Sequence, residues 1–371
     1  MNRIPGKLIV PKNVTDALRS VIYPGGTQNI VALDMVQEIR LAGQRVSFSL
    51  VFQRSDDPNI YLIRKKCEEA IVANLGPEVE ISGNIAIKFI HDMEKPVLPG
   101  VRNIIAVASG KGGVGKSTVA VNLAVALANR GASVGLIDAD IFGPSIPKMF
   151  GVEGVRPAAR QEGNRDLIVP VERFGVKFLS IGFFVAPESA LIWRGPMASN
   201  ALKQLISDAD WGPLDYLLID LPPGTSDIHL TLVQTVPVTA AIIVTTPQDI
   251  ALADVVKGVS MFRSPSVNVP VLGLVENMSW FTPAELPGNK YFIFGKDGGK
   301  KLAYELGLEL LGQIPLVQSI REGGDEGSPS ASDPQSITGL AFAGLAEKVV
   351  RQLDLRNATL DPTQKVKITK K

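Results

Sequence analysis

Cysteine and histidine are scarce in this sequence. The 371 residues include one cysteine, Cys67, and two histidines, His91 and His229. One cysteine excludes an intrachain disulfide, and two histidines exclude a histidine-rich metal site within one chain. No stretch of about 18 uncharged apolar residues occurs, and the opening MNRIPGKLIVPKN lacks the apolar run of a secretory signal. We therefore expect a cytoplasmic protein without a membrane span.

An excess of charge of either sign is also missing. Lysine and arginine number 38 against 37 aspartate and glutamate residues, so the formal net charge is +1. This balance does not favour a nucleic-acid-binding surface, and we expect no nucleic-acid partner. Apolar residues make up 45% of the chain and charged residues 20%, which is typical of a globular protein with one large domain or two smaller ones.

The pattern of apolar residues changes near residue 100. Before that point, VTDALRSVI has helical spacing and QRVSFSLVF alternates as a strand, so residues 1–91 are predicted to form a small α+β domain. The stretch HDMEKPVLPGVRN contains two prolines and a glycine, which predicts a linker at 92–102. Residues 354–371 are polar and are predicted to be a loosely ordered tail.

Residues 103–353 contain short apolar runs separated by helical segments. The runs NIIAVAS, SVGLIDAD, KFLSIGF, YLLIDLP, AAIIVTT and VPVLGLVENM lack polar alternation. Strands of a parallel sheet that are buried on both faces have this pattern. The alternation of strands with helices predicts a three-layer α/β domain with a mostly parallel sheet.

A phosphate-binding motif lies between the first of these strands and the helix that follows it. The segment GKGGVGKS, residues 110–117, satisfies G-x-x-x-x-G-K-[ST] in the strand–loop–helix context that the motif requires. We expect backbone N–H groups to surround the phosphates, Lys116 to contact the β- and γ-phosphates, and the Ser117 hydroxyl to bind Mg²⁺. The predicted nucleotide contacts of this loop are Gly110, Gly112, Gly113, Val114, Gly115, Lys116, Ser117 and Thr118.

A second lysine, Lys111, stands near the start of the loop. The form GKGGVGK[ST] resembles the deviant Walker A loop of the MinD and Mrp class of P-loop NTPases. In that class this lysine reaches across a dimer interface to the nucleotide of the partner subunit, as an arginine finger does in trans. The resemblance implies a homodimer in which Lys111 is catalytic together with Lys116.

The resemblance also assigns roles to three aspartates that end predicted strands. Asp138 in LIDADIFGPS is expected to support Mg²⁺, and Asp140 is expected to orient or activate the attacking water. Asp220 in YLLIDLPPGTSD is expected to hold a Mg²⁺-bound water as the Walker B aspartate. The ends of consecutive parallel strands share one crevice, where ligands bind in such sheets.

Three further residues are expected to contact the nucleotide. The resemblance implies that Gly224 offers its N–H to the γ-phosphate as a switch, that Asn277 contacts the adenine ring, and that Pro315 packs on the base. An N-K-x-D motif is missing after the strand that ends near Asn277, which favours ATP over GTP.

Longer segments narrow the resemblance from this class of NTPases to one family within it. LIDADIFGPSIPKMFG, LIWRGPM, DYLLIDLPPGTSDIHLTL, ENMSWF and IPLVQSIREGGDEGSP are similar to the Mrp family of ATPases, also called iron–sulfur cluster carrier proteins. The N-terminal unit resembles a small domain shared with iron–sulfur assembly factors. Members of the family commonly carry Cys-x-x-Cys after ENMSWF and hold a [4Fe–4S] cluster across the dimer. Here TPAELPGNKYFIFGKDGGKK follows, without a cysteine.

Three functions remain open at this stage. The resemblance implies a homodimeric Mg·ATPase that binds and transfers iron–sulfur clusters to apoproteins or works with assembly factors, although the missing cysteine pair leaves cluster binding unsettled. The same loop occurs in MinD- and ParA-like spatial regulators. A non-catalytic nucleotide switch that recruits a partner through the small domain is the third. Hydrolysis is expected to be slow in isolation, because the trans lysine and Asp140 align only in a closed dimer.

Overall fold

The computed structural model describes residues 9–24, 26–52, 57–89, 97–141, 143–163, 165–184, 195–283, 285–286 and 288–366. Most of the predicted linker, 92–96, and the LIWR part of the LIWRGPM segment lie outside these residues. Contacts between residues divide the chain into two compact units, Met1–Pro96 and Val97–Lys371. Among the described helices, none is both long and apolar enough to cross a bilayer.

The first unit is a small α+β structure. Its described elements are α1 (Pro11–Leu18), β1 (Val36–Ala42), β2 (Arg45–Phe52), α2 (Ile60–Leu75) and β3 (Ile85–Phe89). Strand β2 pairs antiparallel with β1 and parallel with β3. The alternating residues of β2, from Val46 to Phe52, are buried against both helices, because their period of two places them on one face. Cys67 of α2 is fully buried in the same core.

The second unit contains an eight-stranded sheet in the order β13-β12-β11-β4-β10-β5-β9-β8. All neighbours are parallel except β8, which runs antiparallel to β9. A separate antiparallel hairpin joins β6 (Ala159–Glu162) and β7 (Arg165–Ile168). The strands of the sheet are β4 (Val101–Ser109), β5 (Val134–Asp138), β8 (Val171–Arg173), β9 (Val176–Ser180), β10 (Leu214–Asp220), β11 (Ala240–Thr245), β12 (Val271–Glu276) and β13 (Glu309–Gln313).

Helices cover both faces of this sheet. The described helices are α3 (Lys116–Asn129), α4 (Ile146–Met149), α5 (Gly195–Ser207), α6 (Asp227–Thr235), α7 (Asp249–Arg263), α8 (Gly298–Glu305), α9 (Gln318–Glu326) and α10 (Ile337–Thr359). One apolar core joins the sheet to α3 and α10, and the other joins it to α5, α6 and α7. The α/β fold with a mostly parallel sheet in the middle layer is therefore confirmed, because each central strand buries both faces.

The two ends of the second unit differ from the predicted boundaries. Strand β4 begins at Val101, inside the predicted linker, and α10 continues to Thr359, beyond the predicted domain end at 353. The Arg356 guanidinium donates to the Asp361 carbonyl oxygen and to the Thr363 hydroxyl, both at 2.8 Å. These two bonds attach the segment up to Thr363 to the helix. Of the predicted tail, residues 354–359 therefore belong to α10, and Arg356 among them is buried.

This end of α10 allows a direct test of its packing. Leu353 is 1% exposed, whereas Leu355, two residues later on the same helix, is 57% exposed. We expect Leu353→Ala to lower the free energy of unfolding by about 2–5 kcal/mol, since the substitution leaves a cavity in the core. Leu355→Ala should change it by no more than about 0.5 kcal/mol. Urea unfolding followed by circular dichroism measures both; equal effects would contradict burial of this part of the helix.

Candidate nucleotide-binding site

The loop between β4 and α3 requires glycine for steric reasons. Gly115 has φ of +79°, and a Cβ there would lie 2.3 Å from Asn277 Nδ2. A Cβ at Gly110 would lie 2.4 Å from the carbonyl carbon of Asp254, within α7. Larger residues would therefore push the loop away from the elements on both sides. The N-terminus of α3 points its free N–H groups at the loop, which favours an anion there.

Lys116 lies at the first position of α3 with its side chain 6% exposed. Its Nζ is 2.7 Å from Asp220 Oδ1, 3.2 Å from the Ser117 hydroxyl and 3.9 Å from Asp140 Oδ2. The predicted phosphate lysine and two of the predicted acidic residues therefore meet at one point. Lys116 belongs to α3, Asp220 ends β10, and Asp140 lies in the segment after β5.

Asp138 and Asp220 end adjacent parallel strands in register. Both carboxyl groups are fully buried, and burial is the main cause that raises the pKa of each. The pKa of Asp138 rises to about 7, because burial and the nearby Asp220 charge outweigh the Ser180 hydroxyl, which donates to Asp138 Oδ2 at 2.9 Å. The Lys116 ammonium opposes the rise at Asp220.

The donor groups suit a magnesium ion. Asp220 Oδ2 is buried without a hydrogen-bond partner among the described residues, and Asp138 and the Ser117 hydroxyl belong to the same end of the sheet. Hard oxygen donors are the ligands that Mg²⁺ prefers, and it usually binds one or two carboxylates together with phosphate and water oxygens. No cluster of three or more histidine, cysteine or acidic ligands occurs in the described part of the chain.

The predicted switch glycine makes a different contact from the one expected. The Gly224 N–H donates to the carbonyl oxygen of Ser109, the last residue of β4, at 2.9 Å. Gly224 has φ of +79°, a conformation that glycine adopts readily. A phosphate contact by this N–H requires that the bond to Ser109 break first, so the role of Gly224 stays a prediction.

The segment after Gly224 leads into α6, which contains His229. The Ser226 N–H donates to His229 Nδ1 at 3.2 Å, which fixes the first turn of the helix. Burial lowers the pKa of His229 to about 4 and keeps the ring neutral. Its Nε2 has no hydrogen-bond partner among the described residues.

A cavity of about 370 Å³ opens beside the loop. Asn277 and Pro315, which the sequence assigns to base contacts, both line it together with Thr118. Asn277 Nδ2 donates to the Val114 carbonyl oxygen at 2.8 Å, which ties the end of β12 to the phosphate loop. Met278, also in the lining, has φ of +55°, a strained conformation for a residue with a side chain.

Lys111 differs from Lys116 in its surroundings. Its side chain is exposed and makes no ion pair among the described residues, while its carbonyl oxygen accepts a bond from the Ser109 hydroxyl at 3.0 Å. The backbone of the loop is therefore fixed where Lys111 leaves it. The ammonium group stays outside the buried charge cluster of its own chain.

Several residues of the site were missed from the sequence. Ser180 and the Ile146 N–H both donate to Asp138, at 2.9 and 3.3 Å. Arg321 and Asp325, by contrast, belong to the segment IPLVQSIREGGDEGSP that carries the family resemblance; they form an ion pair on α9, and both line the cavity. Ser180 could have been found, because it is the hydroxyl residue inside the predicted strand KFLSIGF; in the structure it ends β9 opposite Asp138.

Comparison with known proteins identifies the family. The model of the NUBPL iron-transfer P-loop NTPase, in the ParA group, matches residues 100–350. The chain belongs to this family of iron-transfer P-loop NTPases. A second model, of iron–sulfur cluster assembly proteins, matches residues 11–82. The resemblance inferred from the phosphate loop and the longer motifs is thereby confirmed.

Individual members of the iron-transfer NTPase family are similar over most of the chain. The iron–sulfur cluster carrier protein of Synechocystis is 43% identical over 347 residues, covering 92% of this chain and 97% of the relative. The Haemophilus influenzae carrier protein is 53% identical over 260 residues, covering 70% and 69%. A nucleotide-binding protein from Archaeoglobus fulgidus, solved with ADP, is 36% identical with a TM-score of 0.57 and covers 66% of this chain and 94% of its own.

The buried acid at the site predicts a pH dependence of stability. The native pKa of Asp138, about 7, exceeds its ordinary value of 3.8, so the native state holds an extra proton between these values. Its contribution to stability is complete below pH 3.8 and is lost as the pH rises through 7. Without Mg²⁺ or nucleotide, the free energy of unfolding should fall on the order of 2 kcal/mol from pH 5 to pH 8 through this group.

Asp138→Asn should remove most of that fall, as measured by urea unfolding at both pH values in the presence of a chelator. Asp166→Asn, at an exposed position of β7, is the control and should keep the wild-type dependence. An Asp138→Asn protein whose stability falls as steeply as that of the wild type would contradict the raised pKa.

Proposed function

We propose that this chain is an ATPase of iron–sulfur protein maturation that closes as a homodimer over two Mg·ATP molecules. The observation that carries the proposal is the buried contact of Lys116 with Asp220, 2.7 Å apart at the phosphate loop, while Lys111 stays exposed at the same loop. Membership of a family whose relatives are named iron–sulfur cluster carriers supports the biological role. We further propose that the protein works in the cytoplasm.

Each residue of the site has a distinct task in this proposal. Lys116 exchanges its contact with Asp220 for phosphate oxygens, which frees both Asp220 oxygens at the cation site. The Ser117 hydroxyl is a further ligand of the cation, and Asp138 supports the cation. The metal ion supplies charge neutralisation of the phosphates. Asp140, which is 19% exposed on its side chain, orients the attacking water.

The exposed Lys111 supplies the argument for a dimer. A lysine that binds the phosphates of its own chain belongs inside the pocket, as Lys116 does. Lys111 is instead exposed and makes no ion pair with the described carboxylates, so it is available to the nucleotide of a partner subunit. A cation contributed in trans stabilises charge on the transferring phosphoryl group only when the two subunits close. Hydrolysis by the isolated chain is therefore slow.

The cavity beside the loop favours ATP as the nucleotide. Asn277 and Pro315 lie on its wall, and the sequence lacks the N-K-x-D motif that reads guanine. An amide and an apolar ring suit an adenine base. We propose that ATP binds with its base in this cavity and its phosphates at the N-terminus of α3.

The residues present do not fit an iron–sulfur cluster held by thiolates. Cys67 is the only cysteine, and a dimer offers two where the usual cluster needs four. Cys67 is fully buried in its core, and burial raises the pKa of its thiol to about 12, which disfavours the thiolate that would ligate iron. We propose that the cluster, as the cargo of this pathway, keeps its thiolate ligands on partner proteins, such as apoproteins or assembly factors, and that this chain supplies the nucleotide-driven step.

Removal of the exposed lysine tests the trans contact. Lys111→Ala should bind ATP about as tightly as the wild type, because the side chain lies outside its own pocket. Its ATP turnover should fall by about 10³- to 10⁵-fold, as for other cations supplied in trans. Phosphate release and equilibrium binding of a fluorescent ATP analogue measure the two effects. Lys203→Ala, at an exposed position on α5, is the control and should retain wild-type turnover.

A mixture of two inactive variants makes the test independent of folding. Asp140→Asn removes the water-orienting group but keeps Lys111, so a mixed dimer contains one complete site. An equal mixture of Lys111→Ala and Asp140→Asn should recover about a quarter of wild-type turnover, since half of the dimers are mixed and each has one of two sites. A mixture as inactive as its components would overturn the trans role.

Iron content tests the proposal on the cargo. After anaerobic reconstitution with iron and sulfide and removal of the excess, the wild type and Cys67→Ala should retain the same low iron content. A value of about four iron atoms per dimer that disappears in Cys67→Ala would contradict it, since it would require ligation by this buried thiol. Elemental analysis and the visible absorption of the cluster give the two measurements.

A further inference from the structure

A buried carboxylate lies next to the proposed base cavity without lining it. Glu276 is the last residue of β12 and is fully buried. Its Oε2 accepts a hydrogen bond from the Gly299 N–H at 2.5 Å, and its Oε1 accepts one from Gln313 Nε2 at 2.8 Å. One side chain therefore joins the end of β12 to the first turn of α8 and to the end of β13.

The backbone of Glu276 holds the same strands together. Its carbonyl oxygen accepts from the Ile314 N–H at 2.9 Å and from the Ser279 hydroxyl at 2.7 Å. The Ser279 N–H donates in turn to the Ile314 carbonyl oxygen at 2.9 Å. The next residues along the two segments, Asn277 and Pro315, form part of the cavity wall. The distance between these parts of the wall is thus set by contacts to Glu276 and its neighbours.

The α8 contact is close enough to require a glycine. A Cβ at Gly299 would lie 2.9 Å from Glu276 Oε2. The carboxylate is also at the N-terminus of a helix, where the free N–H groups favour a negative charge. Gln313 Nε2 donates to Asp297 Oδ1 at 3.1 Å as well, so the network extends to the residue before α8. These partners offset the cost of burying the carboxylate.

We infer that Glu276 is a positioning residue for the base of the nucleotide, acting through Asn277 and Pro315. The inference rests on the proposed function, because it takes the cavity to be the site of the adenine base. Glu276 touches neither the phosphate loop nor the acidic cluster through its side chain in the described contacts. Its effect reaches the phosphate loop only indirectly, through the Asn277–Val114 hydrogen bond, so recognition of the base is affected more than binding of the triphosphate.

The substitution Glu276→Gln separates these two effects. Glutamine keeps the acceptor for Gly299 but places an amide nitrogen against Gln313 Nε2, so one charge-assisted bond is lost. The affinity for Mg·ATP should fall about tenfold. The affinity for Mg·tripolyphosphate, which has no base, should stay within about twofold of the wild-type value, since the base wall does not touch it. Titration calorimetry measures both, and steady-state kinetics should show a raised KM with kcat unchanged.

Two further variants complete the experiment. Glu305→Gln, at an exposed position of the same α8, is the matched control and should bind ATP like the wild type. Gln313→Ala removes the same hydrogen bond from the other side and should also lower the affinity for Mg·ATP but not that for Mg·tripolyphosphate. This variant provides a second measurement if circular dichroism shows that Glu276→Gln is unfolded. Equal losses for ATP and tripolyphosphate, or wild-type ATP affinity in both variants, would overturn the inference. A wild-type protein that does not bind ATP would instead overturn the proposed function.

Discussion

The buried contact between Lys116 and Asp220 is the interaction on which the site depends. Two fully buried carboxyl groups, Asp138 and Asp220, face one buried ammonium. Burial of charge is costly, and removing one partner of such a group leaves an uncompensated charge inside the protein. The parallel sheet makes the arrangement possible, because β5 and β10 end in register and bring both acids to the N-terminus of α3. The ammonium that we propose as the phosphate contact is therefore held in place by an acid of the proposed cation site.

The rest of the site is arranged around this cluster by close contacts of the main chain. Gly110 approaches α7, and Gly115 approaches Asn277 at the end of β12. Asn277 then bonds to the loop through Val114, and Glu276 fastens β12 to β13 and α8. The phosphate loop and the proposed base cavity are thus built on the same strand ends.

The sequence alone predicts the parts of this frame that depend on local spacing. The phosphate loop, each strand or helix of the α/β alternation and each acidic strand end is a short segment of consecutive residues, where glycine positions and apolar runs are informative. Contacts between distant residues are not visible in that way. Lys116 and Asp220 are 104 positions apart, and Asn277 and Val114 are 163 apart. The role of Arg356 in holding the segment after α10 was missed, because Arg356 and its partners Asp361 and Thr363 all lie in the polar segment that was predicted to be a loosely ordered tail.

His229 has a consequence for the interpretation of rate profiles. A bend in activity near neutral pH is ordinarily attributed to an imidazole, since that ring is the common side chain that titrates there. The ring of His229, the single histidine in the described part of the chain, is neutral well below that range because its pKa is about 4. A bend near pH 7 would therefore not report His229; among the described residues, and without Mg²⁺ or nucleotide, a group whose pKa is about 7 is the Asp138 carboxyl at the end of β5.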